Sequence, residues 1–223
     1  MKQFILVIYL FTLSLAGFAQ KADLKSLCAD YENLFATHTT FKLSYILTVA
    51  SSLDTSKESM KFDLHKSGNK DYIKIGDTQE IIHDGTFYLM INHEIHTIRI
   101  SDDSSNLDSK NMLVSNFTSI IDSSNNVQYQ PKDGKIYYTL LFPSNYVYSK
   151  IEFVFSKKTK SLLRIYAVFS DAYPSEFKFI EVDYAEPDFK WQPAADFPGT
   201  ATYVQKTSER YVVQEAFDGY KTY

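Results

Sequence analysis

Short apolar runs alternate with polar breaks between Ser59 and Ser101. In the first run, Met60, Phe62 and Leu64 alternate with polar residues, which is the period of a strand with one apolar face. Consecutive strands separated by such short breaks pair as an antiparallel meander. The predicted strands of this meander are 60–65, 72–75, 79–83, 87–91 and 98–100.

Asp84-Gly85 is the strongest turn signal of the meander. This dipeptide is typical of a two-residue type I′ hairpin turn, whose two central residues both need positive φ. Phe87, Leu89 and Ile91 follow it at the spacing of one strand face.

Asp23–Thr37 has the apolar spacing of a helix. The residues of its apolar face are Leu24, Leu27, Cys28, Tyr31, Leu34 and Phe35. Asp23 is suited to the N-cap or the first turn. Phe41–Ala50 then predicts the first strand, on one face of which lie Phe41, Leu43, Tyr45, Leu47 and Val49.

The second half of the chain predicts a helix at about Asp108–Ile121, a polar connection over Ser123–Gly134 and further strands. These strands are 135–142, 150–156, 161–169 and 176–184. Residues 185–223 predict irregular chain, with a short helix near Ala194–Phe197. Edge pairing is expected at 203–204 and 210–213.

The first 19 residues indicate a cleaved signal peptide. Lys2 supplies the positive end, Phe4–Leu15 is the apolar core, and Gly17-Phe18-Ala19 offers small residues before a mature chain that begins at Gln20. A membrane anchor is the competing interpretation, but the apolar run is short for a bilayer. Because Cys28 follows Leu27, not small residues, we expect an unacylated, buried thiol.

The length of the chain favours one domain over 20–223. The signal peptide, with no second hydrophobic span after it, predicts that this domain is soluble outside the cytoplasm. Apolar residues make up 44% of the chain, which argues against disorder. The formal net charge of −4 disfavours nucleic acid as a partner. The chain contains 17 Tyr and 17 Phe residues, which indicate either a strand-rich core or an aromatic-lined cavity.

The histidines do not predict an active site. His93 and His96 are three residues apart, and on a strand this spacing places them on opposite faces, which argues against shared metal ligation. His83 precedes the predicted turn, and His65 lies opposite an apolar face, where we expect it to be solvated. We therefore expect no metal, no cofactor and no enzymatic activity.

The order of helix, meander, helix and further strands resembles the LolA/LolB-like superfamily of periplasmic lipoprotein carriers. Ile73–Ile100, with its Asp84-Gly85 turn before an aromatic strand, carries most of this resemblance. The resemblance implies an α+β fold in which a strongly curved antiparallel sheet, or open β-barrel, is covered by helices and holds acyl chains on its concave face. The early strand region KFDLHKSGNKDYIKI, residues 61–75, lacks the arginine, proline and tryptophan of well-studied carriers.

This resemblance leads us to expect a periplasmic or secreted protein that binds lipoprotein acyl chains or another apolar ligand. The candidate cavity residues on the sheet are Leu43, Tyr45, Leu47, Phe62, Leu64, Phe87, Leu89 and Ile91. The candidate lid residues on the first helix are Leu27, Tyr31 and Leu34. The alternative is an envelope scaffold or sensory module that binds a protein partner, for which the aromatic segment Tyr203–Tyr223 is a candidate surface.

Overall fold

The structure is a computed structural model that describes residues 2–53, 56–85, 87–101, 117–173, 175–193, 197–207 and 211–223. Two α-helices are described, α1 (Lys2–Thr37) and α2 (Phe117–Ser123), with short 3₁₀ turns at Thr200–Thr202 and Glu215–Phe217. The first strands are β1 (Thr40–Ser51), β2 (Lys57–Ser67), β3 (Lys70–Ile75), β4 (Gln79–His83), β5 (Tyr88–Asn92), β6 (Thr97–Ser101) and β7 (Asn126–Lys132). The others are β8 (Lys135–Leu141), β9 (Tyr148–Ser156), β10 (Leu162–Phe169), β11 (Phe177–Tyr184), β12 (Val204–Lys206), β13 (Tyr211–Val213) and β14 (Lys221–Thr222).

Twelve of these strands form one sheet in the order β14-β6-β5-β4-β3-β2-β1-β11-β10-β9-β8-β7. Strand β14 is parallel to β6, whereas the meander strands β2 to β6 pair antiparallel with their neighbours in sequence. Strands β12 and β13 form a separate hairpin. The predicted α+β class with a large, open antiparallel sheet is confirmed, because the strand order ends at β14 and β7 without closing.

The chain divides into two compact units. Unit 1 comprises residues 1–34, 47–59 and 114–184, and unit 2 comprises residues 35–46, 60–113 and 185–223. The assignment of residues 20–223 to a single domain stays a prediction, as does the signal peptide.

Helix α1 begins at Lys2, so the prediction that it begins at Asp23 is wrong. The stretch before Gln20 contains no proline, the residue that disrupts a helix interior most strongly, so the helix can extend through it. Within unit 1, Leu24, Cys28 and Tyr31 are buried at the predicted helical spacing. Among the described residues, no helix has the length and hydropathy needed to cross a membrane.

Strand β7 lies within the predicted polar connection 123–134, so that prediction is wrong. Only Val127 of this strand is buried, and Pro131 lies in its second half. An edge strand tolerates proline and polar side chains because one of its sides makes no ladder hydrogen bonds. The sequence signal of this strand was therefore weak.

Asp84-Gly85 does not form the predicted type I′ turn. Gly85 has a φ of 93°, but Asp84 is not among the described residues with positive φ. Four residues separate β4 from β5, and a Cβ atom at Gly85 would contact the end of the Asn69 side chain, which is flexible and can move. Glycine is therefore favoured here by its positive φ, which side chains rarely tolerate. Asp133-Gly134 instead has positive φ at both residues, 50° and 73°, in the two-residue turn between β7 and β8.

The predicted second helix is confirmed at Phe117–Ile121 and continues to Ser123. Its predicted first part, 108–116, lies outside the described residues. Most of the predicted short helix at Ala194–Phe197 also lies outside them. Strands β12 and β13 lie near the positions expected for edge pairing, but they pair with each other and not with the large sheet, whose C-terminal edge strand is β14.

Candidate functional site

A cavity of about 360 Å³ lies in unit 1 between helix α1 and strands β7 and β8. We call it the helix–sheet pocket. The residues that line it are Gln20, Asp23, Ser26, Leu27, Tyr129, Ile136, Tyr138 and Lys160. Its volume lies within the range of about 300–1,000 Å³ that is common for small-molecule sites.

The pocket wall on the sheet is aromatic because β7 and β8 present paired tyrosines. Tyr129 is the direct cross-strand partner of Tyr138, and their ring centroids are 5.3 Å apart. Ile136 lies two residues before Tyr138 and therefore on the same face of β8. Tyr138 and Ile136 are buried, whereas Tyr129 is 44% exposed, so the wall runs from the core to the surface.

The pocket wall on helix α1 combines one apolar side chain with polar ones. Asp23, Ser26 and Leu27 have the spacing that places helical residues on one face. Burial, and then the negative charge of Asp23, raise the pKa of Tyr138 to about 12. The Tyr138 hydroxyl therefore stays protonated at neutral pH and can donate a hydrogen bond. The pocket can hold an apolar chain that carries a polar end.

The three predicted lid residues differ in their surroundings. Leu27 is half-buried and lines the pocket. Tyr31 is 1% exposed, so it belongs to the core of unit 1. Leu34 is half-buried and does not line the pocket, and Leu47, a predicted sheet residue in the same unit, is also half-buried.

Three predicted cavity residues belong to a packed cluster in unit 2. Phe87, Leu89 and Ile91 are buried against Tyr203 and Val204 of the C-terminal segment, by which we mean residues 197–207 and 211–223. We call this group the C-terminal core cluster. Its other buried members are Ile82 and Ile98. The partly buried residues packed against it are Tyr72, Ile100, Tyr211, Val213, Phe217 and Tyr220.

The other predicted cavity residues of unit 2 lie on β1 and β2. Tyr45 and Phe62 are half-buried and stack with ring centroids 4.7 Å apart and an interplanar angle of 5°. Leu43 and Leu64 are almost fully buried. Burial raises the pKa of Tyr45 to about 12.

Polar contacts hold the C-terminal segment in unit 2. Tyr203 donates a hydrogen bond from its hydroxyl to Glu80 on β4. His93 bridges the same carboxylate and the C-terminal segment, because its Nε2 lies 3.1 Å from Glu80 Oε1 and its Nδ1 lies 2.8 Å from the Tyr220 hydroxyl. Thr200 donates a hydrogen bond to Asp84. These contacts were not predicted, because nothing near Glu80 or His93 in sequence signals a partner more than 120 residues away.

The predicted positions of two histidines are wrong. His93 and His96 lie in the turn between β5 and β6, and His96 has a φ of 51°, so they are not on opposite faces of a strand. Both contact the Tyr220 ring. The Asn92 side chain, which accepts hydrogen bonds from two backbone N–H groups of this turn, explains why the strand stops there.

The prediction that His65 is solvated is wrong, because its side chain is half-buried and its ring centroid lies 5.1 Å from that of Trp191. Trp191 comes from a segment predicted to be irregular, so no local pattern predicted this contact. Cys28 is buried, as predicted, and burial raises the pKa of its thiol to about 12.

Two further hollows in unit 1 lie beside Phe177. Their volumes are about 220 and 390 Å³. Leu53, at the rim of the smaller one, is 90% exposed, and Tyr173, at the rim of the larger one, is 50% exposed. Polar surface predominates in the larger hollow, which makes it less suited to an apolar chain than the helix–sheet pocket. The smaller hollow is mainly apolar, but its volume lies below the usual range for a small-molecule site.

No family model matches this chain, and no curated protein matches it significantly in sequence. Similar solved structures include a LolA superfamily protein from Nitrosomonas europaea, with 12% identity and a TM-score of 0.38, over 78% of this chain and 96% of that one. The lipoprotein LppX from Mycobacterium tuberculosis has 14% identity and a TM-score of 0.41, over 76% of this chain and 95% of LppX. A MucA/MucB complex from Pseudomonas aeruginosa has 9% identity and a TM-score of 0.46, over 81% of this chain and 61% of that one.

The predicted resemblance to the LolA/LolB-like superfamily is confirmed as a resemblance, because these structures include a LolA superfamily protein. All three TM-scores lie below 0.5. We therefore base the function on this chain's own residues.

Proposed function

We propose that this chain is a non-enzymatic protein of the bacterial envelope that binds an acyl chain, or another apolar ligand, in the helix–sheet pocket. One observation carries the proposal: a cavity of about 360 Å³ lies between Leu27 of the predicted lid helix and the paired rings of Tyr129 and Tyr138. The LolA-like sequence pattern predicted binding beneath this helix, and Leu27 was among the residues it singled out.

The pocket favours an apolar ligand through burial of its chain. Each methylene group removed from water contributes about 0.8 kcal/mol, so a short length of alkyl chain suffices for measurable binding. Leu27, Ile136 and the two tyrosine rings supply the apolar contacts. Asp23, Ser26 and Lys160 supply polar groups that suit the end of an amphiphile.

The sheet of unit 2 is a weaker candidate. Phe87, Leu89 and Ile91 are at most 7% exposed and already contact the chain's own C-terminal segment. A ligand would have to displace Tyr203 and Val204, which are also buried.

The test is binding of a fluorescent fatty acid to wild type and to Leu27→Gln. The polar amide at the pocket wall should weaken binding roughly tenfold to a hundredfold, as expected for the loss of about 1.5–3 kcal/mol of apolar contact. Unfolding should change little, because Leu27 is only half-buried. Ala29→Gln, at an exposed position of the same helix, is the matched control and should bind like wild type.

A second function, docking of a protein partner, is favoured by the exposed Leu53, Tyr173 and Phe177 of unit 1. Aromatic and aliphatic side chains exposed near one another are typical of interaction surfaces. If wild type binds no fatty acid, the acyl-chain proposal fails and this alternative remains. Capture of an envelope protein by wild type but not by a Leu53→Ser/Phe177→Ser variant would then support it.

A further inference from the structure

Two lysine-rich turns lie side by side at one end of the sheet in unit 1. The first is Lys132-Asp133-Gly134-Lys135, between β7 and β8, and the second is Lys157-Lys158-Thr159-Lys160, between β9 and β10. The backbone N–H of Lys157 donates a hydrogen bond to the carbonyl oxygen of Gly134 at 2.9 Å. Strands β8 and β9 also pair up to this end, where Lys135 is opposite Ser156. We call these two turns the lysine end.

The lysine end is strongly cationic on a chain that is acidic overall. It contains five lysines and one aspartate, Asp133, whereas the whole chain has a formal net charge of −4. All five lysines are exposed, and none forms an ion pair with a residue that the structure describes. Their charges therefore repel one another in water and are available to an anionic partner.

The composition of the lysine end favours a diffuse anionic surface over a single anion. Arginine is the usual residue for specific, bidentate recognition of one phosphate group, and neither turn contains it. Lysine is a hydrated point charge on a flexible stem, and clusters of about four to eight basic residues are the size that binds anionic bilayers. The turns contain no exposed aromatic side chain on which a nucleic acid base could stack.

We propose that the lysine end docks unit 1 on an anionic lipid membrane surface. Lys160 belongs both to this end and to the lining of the helix–sheet pocket, so docking brings the pocket to the bilayer. Asp23 at the pocket and Asp133 in the turn are the carboxylates that oppose the attraction. Docking does not require that the pocket binds a ligand, so the inference stands independently of the proposed function.

The experiment is co-sedimentation of the protein with lipid vesicles. One set contains phosphatidylcholine alone, and the other contains phosphatidylcholine with about one third phosphatidylglycerol. The test variant is Lys132→Gln/Lys135→Gln/Lys157→Gln/Lys158→Gln, which leaves Lys160 in the pocket. The control is Lys70→Gln/Lys178→Gln/Lys190→Gln/Lys221→Gln, which removes the same charge from exposed positions elsewhere.

Wild type and the control should bind anionic vesicles at low salt, and the test variant should bind them at least roughly tenfold more weakly. Binding should fall as salt rises, because exposed charges are screened. Equal loss in the two variants, or equal binding of wild type to neutral and anionic vesicles, would overturn the proposal. So would stronger competition by duplex DNA than by anionic vesicles. The fatty-acid affinity of the test variant should equal that of wild type, which separates failure of docking from failure of ligand binding.

Discussion

The two units complete their apolar surfaces in different ways. In unit 2, the C-terminal segment packs Tyr203 and Val204 against Phe87, Leu89 and Ile91, and hardly any of this cluster is exposed. In unit 1, helix α1 buries Leu24, Cys28 and Tyr31 but leaves a cavity of about 360 Å³ beside Leu27. The first surface is filled by the chain itself, and the second has room for another molecule.

This difference shows what an apolar sequence period specifies. Alternation predicts which strand residues leave water, but the covering group can be a helix, a ligand or a distant part of the chain. In unit 2 the covering residues are more than 100 positions away from Phe87 in sequence. The predictions below test whether unit 2 is a packed core and unit 1 a binding site.

The largest expected effect is that of Phe87→Ala in the C-terminal core cluster. Loss of a packed phenylalanine side chain should lower the free energy of unfolding by about 3–5 kcal/mol, measured by urea denaturation. Fatty-acid binding by the protein that remains folded should be unchanged. Met90→Ala is the control, because Met90 lies in strand β5, directly after Phe87, but is 39% exposed. It should lower the free energy of unfolding much less.

The contrast between the two units is contradicted if Phe87→Ala lowers the free energy of unfolding no more than Met90→Ala does, and if it abolishes fatty-acid binding. Phe87 would then line a ligand cavity, as the sequence predicted.

A smaller effect is expected from Tyr203→Phe, which keeps the ring but removes the hydroxyl that donates to Glu80. A hydrogen bond to a charged group typically contributes about 1.5–3 kcal/mol, and His93 still contacts the same carboxylate, so the loss should lie near the lower value. Thermal and urea unfolding measure it. Tyr223→Phe, whose side chain is 72% exposed, should unfold like wild type. An equal decrease in the free energy of unfolding in both variants would contradict the conclusion that the Tyr203–Glu80 hydrogen bond stabilises the fold.

The smallest effect concerns pH and His65. Burial, and then the positive charge of Lys42, lower the pKa of His65, although Asp63 opposes this. Because the unfolded chain has an ordinary histidine pKa near 6.5, it binds more protons than the folded chain just below that pH. The contribution of neutral His65 to the free energy of unfolding should therefore be complete above about pH 6.5. It should be lost as the pH falls below that value and through the folded pKa of His65.

His65→Gln should reduce the slope of unfolding free energy against pH in this acidic window. Asn126→Gln, at an exposed position without a titratable side chain, is the control and should retain the wild-type slope. Identical slopes for wild type and His65→Gln would show that His65 is not the group responsible.

Much of the fold follows from local pattern. The meander strands were predicted because Phe62, Leu64 and their neighbours alternate, and each strand pairs with the next in sequence. Strand β7 was missed because its only buried side chain is Val127, and an edge strand needs little apolar surface. The start of α1 was missed because residues 1–19 were interpreted as a leader and not as part of the helix.

The candidate site was only partly predictable. Leu27 was identified because it belongs to the apolar face of α1, but Tyr129 was placed in a loop and Tyr138 was not singled out. Their pairing depends on the register of β7 on β8, which the missed strand concealed. The packing of Phe87 depends on the distant Tyr203, for which no local pattern exists.

Photocrosslinking with a fatty acid that carries a diazirine near its methyl end tests the central claim most directly. After irradiation and digestion, peptide mass mapping locates the adducts. Our account predicts adducts within residues 20–27 and 129–138 of wild type, reduced at least roughly tenfold in Leu27→Gln and retained in Ala29→Gln. Adducts concentrated on residues 87–91 or 203–213, or no adduct above that of free label, would contradict it.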